Sequence, residues 1–144
     1  LQRTAITLRS FVISFTWLWA AVFVPIETYL SFSGEPYPLP GYGVLSGYVV
    51  NVLGVGLTLW GAVSLRRGRS YAEGVLAAGW GWTTAVFWRA TNLRYWYAAE
   101  YGELEFGSKE LWLAPLLTAL VATVFLGSLI LLVRRQRAAE KEVQ

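Results

Sequence analysis

The chain has no cysteine, no histidine and no methionine. Each absence closes off a chemistry. Without cysteine there is no disulfide, no thiol nucleophile and no thiolate metal site. Without histidine there is no imidazole base. Haem ligated by His, Met or Cys is excluded, and so is bacteriochlorophyll held through histidine. No metal site is expected. The missing cysteines say nothing about redox compartment. The missing initiator methionine leads us to expect processing or a preceding stretch.

Charge is also scarce. Charged residues make up 15% of the chain and hydrophobic residues 56%, whereas soluble domains carry roughly 25% charged residues. Residues 10–26, 44–65, 74–88 and 111–133 hold no Asp, Glu, Lys or Arg. A membrane span needs about 20 mostly apolar residues, within a range of roughly 17–25. The second and fourth runs meet that length unaided. The first does so if Glu27 lies near the far interface, and the third if Glu73 and Arg89 mark its ends. The 144 residues therefore read as all-α, a single transmembrane domain built as a four-helix transmembrane bundle. The expected spans are 8–30, 44–65, 71–97 and 111–133, with an extramembrane loop at 31–43 and a charged tail at 134–144. The first run reads as a retained span rather than a cleaved signal. Phe11–Ile26 is long for a signal core, and Glu27, Thr28 and Tyr29 follow where a small-x-small site would lie.

Basic residues fall unevenly. Arg3, Arg9, Arg66, Arg67, Arg69, Arg134, Arg135, Arg137 and Lys141 lie on one side of this arrangement, and Arg89, Arg94 and Lys109 on the other. The positive-inside rule then puts both termini in the cytoplasm of a multi-pass protein, with the plasma (inner) membrane as the expected site. The RRGR and RRQR runs read as topology signals in contact with anionic lipid, not as a nucleic-acid surface.

Small residues indicate how the helices meet. Gly47, Asn51, Gly54, Thr58 and Gly61 recur at a 3.5-residue period, the signature of a helix interface with a left-handed crossing. Ala77, Gly81 and Ala85 in the third run, and Ala119, Thr123 and Gly127 in the fourth, repeat the small-xxx-small pattern. Thr7, Ser10, Ser14, Trp17 and Ala21 line one face of the first, where Pro25 is expected to bend the helix end. These spans are expected to pack closely on each other or on a partner. Pro36, Pro38 and Pro40 make the first loop an extended or turning segment.

The stretch FWRATNLRYWYAAEY, residues 87–101, is the least ordinary part of the chain. On a helical wheel Trp82, Ala85, Arg89, Asn92 and Trp96 share one face, while Glu73, Trp80 and Phe87 share the opposite one. This end reads as an aromatic belt with snorkelling arginines. Arg89, Asn92, Arg94 and Trp96 are candidate lipid or ligand contacts, together with Trp17 and Trp82. Trp17, Trp19, Trp80 and Trp82 lie at mid-depth, where indoles are unusual; they read as rings packed against Gly-rich neighbours, the alternative being an apolar cofactor such as a carotenoid, a quinone or a lipid tail held between them. Glu27, on the same side as Arg89, is the candidate for an ion pair with it.

No acid and base are paired inside the spans, no nucleophile sits beside a base, and no phosphate loop occurs. The expectation is a noncatalytic membrane protein, not an enzyme: a small accessory or structural subunit of a larger membrane complex, or a self-associating scaffold, able to hold lipid or an apolar pigment or quinone. Expected partners are the lipid bilayer and other transmembrane subunits or copies of itself, with no nucleic acid. One alternative is a small transporter or channel formed by a homo-oligomer, with a polar path along Asn51 and Thr58. Another is a lipid-modifying enzyme, with Arg89 and Arg94 on a phosphate.

The topology is testable on a chain free of native cysteine. An impermeant thiol reagent added outside the cell should label Ser33→Cys and spare Ala138→Cys. The reverse pattern would overturn the orientation.

Overall fold

The computed structural model describes residues 2–33, 44–102 and 108–143. Among these residues there are four helices: α1 (Gln2–Phe32), α2 (Val44–Arg66), α3 (Ala72–Tyr101) and α4 (Ser108–Val143). No strand occurs among the described residues. Pro25 lies inside α1, and the helix continues past it to Phe32, taking the first residues of the expected loop. The three prolines of that loop lie outside the described residues. α4 runs on through the charged tail expected from residue 134, to Val143.

The helices form a ring in chain order. α1 packs on α2, α2 on α3, α3 on α4 and α4 on α1. α3 has the most extensive interfaces and α1 the lightest. Neighbours run antiparallel, as the α2–α3 contacts make clear.

A Cβ at Gly61 would lie 2.7 Å from the backbone of Leu76, and one at Gly79 would lie 2.7 Å from the amide nitrogen of Thr58. Each helix thus receives the other's backbone at a glycine. Gly54 leaves room for the Trp82 ring, whose edge would be 2.9 Å from a Cβ there. Gly47, Gly54, Thr58 and Gly61 are buried and Asn51 is half-buried. The periodic seam of the second run is therefore the inner face of α2, and it packs within this chain.

The centre of the ring is filled from α1 and α3, which face each other across it. Trp80 is fully buried, and Trp19 nearly so. Phe15 meets Trp80 at 5.6 Å between ring centres, Trp19 meets Phe87 at 5.4 Å, and Trp19 stacks on Phe23 at 4.8 Å. Such pairs add about 0.5–1.5 kcal/mol each beyond the area they bury. Trp80 Nε1 donates to Thr16 Oγ1 at 3.1 Å, and that hydroxyl donates to Val12 O at 2.8 Å.

Arginines tie the helix ends where the basic residues gather. Arg9 donates to the carbonyl of Leu65, near the C-terminal end of α2. Arg66 lies over the Trp17 ring, 5.5 Å from its centre. Arg135 pairs with Glu73, in the first turn of α3, and donates to Arg69 O at 3.1 Å.

Three helices, α1, α2 and α4, are long and apolar enough to cross a membrane. α3 is long enough but does not reach that level of apolarity, so the expected count of four spans is supported for three. The reason is compositional. The centre of α3 lacks charge, but it is rich in Gly, Trp and Thr rather than in hydrocarbon.

The two-glycine contact makes a clear prediction. Gly79→Ala should lower the melting temperature in mild detergent, through an overpacking cost of about 1–3 kcal/mol. Gly56 has nothing within 4 Å of a Cβ, so Gly56→Ala should be neutral or stabilising, by up to about 1 kcal/mol of helix propensity. Equal melting of the two variants would refute the α2–α3 contact.

Candidate functional site

The polar and aromatic residues singled out in the sequence separate into an inner set and an outer set. The inner set sits where α1 meets α2, toward the loop end of both helices. Glu27 is only 6% exposed. Its Oε1 accepts a hydrogen bond from Asn51 Nδ2 at 2.7 Å. One residue along, Thr28 Oγ1 lies 3.3 Å from the Tyr48 hydroxyl, and it donates to Val24 O. Ser31, one turn beyond Glu27, is buried, and its hydroxyl has no hydrogen-bond partner among the described residues. A void of about 10 Å³ adjoins Asn51, bounded by Phe23, Gly54, Trp82, Thr83 and Phe87. That is the lower limit for a single water.

The carboxyl matched with Arg89 in the sequence thus meets Asn51 instead. Arg89 is exposed on α3. The difference follows from the ring order. α1 packs directly on α2 and faces α3 only across the aromatic core.

The outer set lies along the outward face of α3. Trp82, Ala85, Arg89, Asn92 and Trp96 are all exposed, as the wheel anticipates, and Trp80 is at the core. Asn92 Nδ2 donates to Trp88 O at 2.9 Å, and Arg94 lies 3.4 Å from Ala90 O. Trp82 reaches across α2, its Nε1 donating to Val50 O at 3.1 Å. Trp17 is on α1 beside Arg66. The six candidate ligand contacts therefore do not converge on one pocket. Arg89, Asn92, Arg94 and Trp96 share an end of α3, whereas Trp17 lies at the middle of α1, under the Arg66 guanidinium.

Two features escape the sequence reading. The first is a groove of about 490 Å³ between α3 and α4, lined by Gly81, Ala85, Trp88, Pro115, Ala119 and Phe125 among others. Its small residues belong to the small-xxx-small patterns of the third and fourth runs. Such patterns mark a close approach without saying which side of the contact stays open. The second is the outward direction of the small face of α1: Ser10, Ser14, Trp17 and Ala21 are all exposed.

Among the described residues, no group of three or more acidic, histidine or cysteine side chains could hold a metal ion. The chain matches no protein family, and no curated protein or solved structure is significantly similar to it.

The inner pair is open to a double-mutant cycle. Asn51→Ala should cost about 1–3 kcal/mol of stability, because it leaves a buried acceptor without its donor. Glu27→Ala and Asn51→Ala should couple strongly, and Glu27→Ala and Arg89→Ala weakly, in melting curves of the four variants and the parent. Coupling concentrated on Arg89 would overturn this assignment.

Proposed function

We propose that this is a noncatalytic four-span membrane protein with both termini in the cytoplasm. It serves as a small accessory subunit whose α1 packs against other transmembrane helices, copies of this chain included. The observation that carries the reading is the outward face of α1. Ser10, Ser14 and Ala21 follow one another at helical spacing on a helix apolar enough to cross a membrane, and they point away from the bundle. Small residues in a span favour close approach of another helix, which lipid chains do not require. Large apolar side chains are exposed beside this stripe, among them Phe11, Trp17, Leu18 and Val22, as they are on α2 and α4, with Leu53, Leu116, Leu126 and Ile130.

Insertion of α3 as the fourth span is supported by its position. It lies between α2 and α4, both apolar enough to span, and it packs on each along its length. The lighter interfaces of α1 within the chain leave its outer surface available to partners.

A second reading, a small transporter, is favoured by one observation: the buried Glu27 beside Asn51 and a water-sized void. Ionisable residues within spans commonly mark ion or proton paths. In the homo-oligomeric form of that reading, Asn51 and Thr58 would line the path. Here both face the interior of a single bundle, which weighs against it.

Mild extraction followed by native mass spectrometry separates the readings. The parent should emerge with additional polypeptide mass, and Ser14→Leu should emerge without it while keeping the parent's melting temperature. A parent that emerges as a single chain would overturn the accessory-subunit reading. Loss of an ion gradient-driven flux in Glu27→Gln vesicles would replace it with the transporter.

A further inference from the structure

We propose that Glu27, Ser31 and Asn51 hold a monovalent cation of sodium's size between α1 and α2. The site is built from burial and charge within this chain. It stands whether or not the chain moves the ion across a membrane.

Charge comes first. Glu27 is only 6% exposed. No Lys or Arg among the described residues makes a salt bridge with it, and the pair Arg135–Glu73 lies at the other end of the bundle. Asn51 supplies one neutral donor, whereas an ionised carboxylate can accept about four hydrogen bonds. A buried charge is strongly disfavoured unless it is paired. Within a membrane span such a group commonly marks an ion or proton site.

The hydroxyls come second. Buried Ser and Thr side chains in these helices turn back to the carbonyl one turn earlier. Thr16, Thr83, Thr118 and Ser128 donate to Val12, Gly79, Ala114 and Val124 at 2.8–2.9 Å. Ser31 is buried too, at 8% exposed, and makes no such bond. Its hydroxyl has no partner among the described residues. A buried polar atom in that condition calls for an occupant.

Direction comes third. At about 100° per residue, Ser31 points about 40° from Glu27 and about 60° from Thr28, between the two. Both of those reach α2. Glu27 meets Asn51, and Thr28 Oγ1 lies 3.3 Å from the Tyr48 hydroxyl. Ser31 is thereby turned toward α2 as well. α2 runs the opposite way, so Gly47, one turn before Asn51, is level with Ser31. Gly47 is buried and brings no side chain to the contact.

The donor set selects the ion. One carboxylate balances one positive charge. The carboxamide oxygen of Asn51 and the hydroxyl of Ser31 add neutral, hard ligands. Among the described residues no three acidic side chains gather to neutralise an ion of higher charge. The burial of Glu27 and Ser31 leaves no approach for a bulky substituted ammonium. A water would satisfy Ser31 but would leave the charge of Glu27 unbalanced.

The test is equilibrium dialysis of the full chain in mild detergent against radioactive sodium, with choline chloride holding ionic strength constant. The parent should bind a single sodium ion. Its melting temperature should rise saturably with sodium, by about 5 °C. Ser31→Ala should weaken binding roughly tenfold. Ser33→Ala, at an exposed position, should bind as the parent does. Glu27→Gln should not bind, and in choline it should melt no lower than the parent, because it removes the unbalanced charge.

No sodium binding by the parent, or unchanged binding by Glu27→Gln, would overturn the site. Equal affinity in Ser31→Ala would overturn the role of Ser31. A parent whose melting follows pH but not sodium would give Glu27 a proton in place of the ion, and would overturn the proposal. Tyr48 is the other titratable side chain at this contact among the described residues. The readout is occupancy rather than flux, so its failure is distinct from failure of the transporter reading.

Discussion

The close approach of α2 and α3 is the constraint on which the rest of the bundle depends. In a bilayer, apolar side chains gain little by leaving lipid for protein, so helices associate through dense contact and hydrogen bonds. Gly61 against Leu76 and Gly79 against Thr58 bring the two backbones together at two successive levels. A glycine inside a helix costs roughly 0.5–1 kcal/mol relative to alanine. Many dispersion contacts at short range offset that cost. The same approach turns Thr58 inward and opens the space at Gly54 that the Trp82 ring enters. It also places Trp80 at the middle of the ring, facing α1.

α1 is held on other terms. Its interior face carries Phe15, Trp19 and Phe23, which bridge to Trp80 and Phe87 over a distance that small residues could not span. Two polar ties then set its register on α2. Arg9 reaches the carbonyl of Leu65 near one end, and Glu27 accepts from Asn51 near the other. Eighteen residues of helix separate the two ties, about 27 Å, close to the full hydrocarbon thickness of roughly 30 Å. The aromatic wedge occupies the length of α1 between the two ties. Rings have no strict register, and end ties do. The division of labour fixes a helix whose backbone contacts are light.

Much of this was legible in the residues, and the exceptions share a cause. The seam from Gly47 to Gly61 could be read because its period matches a helix crossing. The outward face of α3 could be read because a wheel sorts Arg89 and Asn92 from Trp80. The partner of Glu27 could not be read from depth alone. Depth offers both Arg89 and Asn51, and ring order decides between them. The face of α1 bearing Ser10, Ser14 and Ala21 had the pattern of a packed surface, yet it points outward. Small residues record that something comes close without recording what. The groove at Gly81 and Ala119 was hidden for the same reason. The count of spans raised a separate problem: residues 74–88 of α3 lack charge, but lack of charge is not abundance of hydrocarbon.

That last distinction bears on how α3 comes to lie where it does. Its polar groups are matched in two ways. Thr83 and Thr84 bond to carbonyls one turn back in their own helix, at 2.9 and 2.8 Å, and carry that satisfaction wherever the helix goes. The indoles do not. Trp80 Nε1 depends on Thr16 of α1, and Trp82 Nε1 depends on Val50 of α2. An unmatched donor in a bilayer core costs several kcal/mol. Compatibility of α3 with hydrocarbon is therefore conditional on its neighbours, whereas α2 and α4 are apolar enough to span by composition alone. Hydropathy taken residue by residue charges Trp and Thr their full polar cost, and so undervalues a helix whose donors are answered by the helices around it. Gly79, one of the glycines that deprive α3 of hydrocarbon, is also the residue that lets α2 come near enough to answer Trp82.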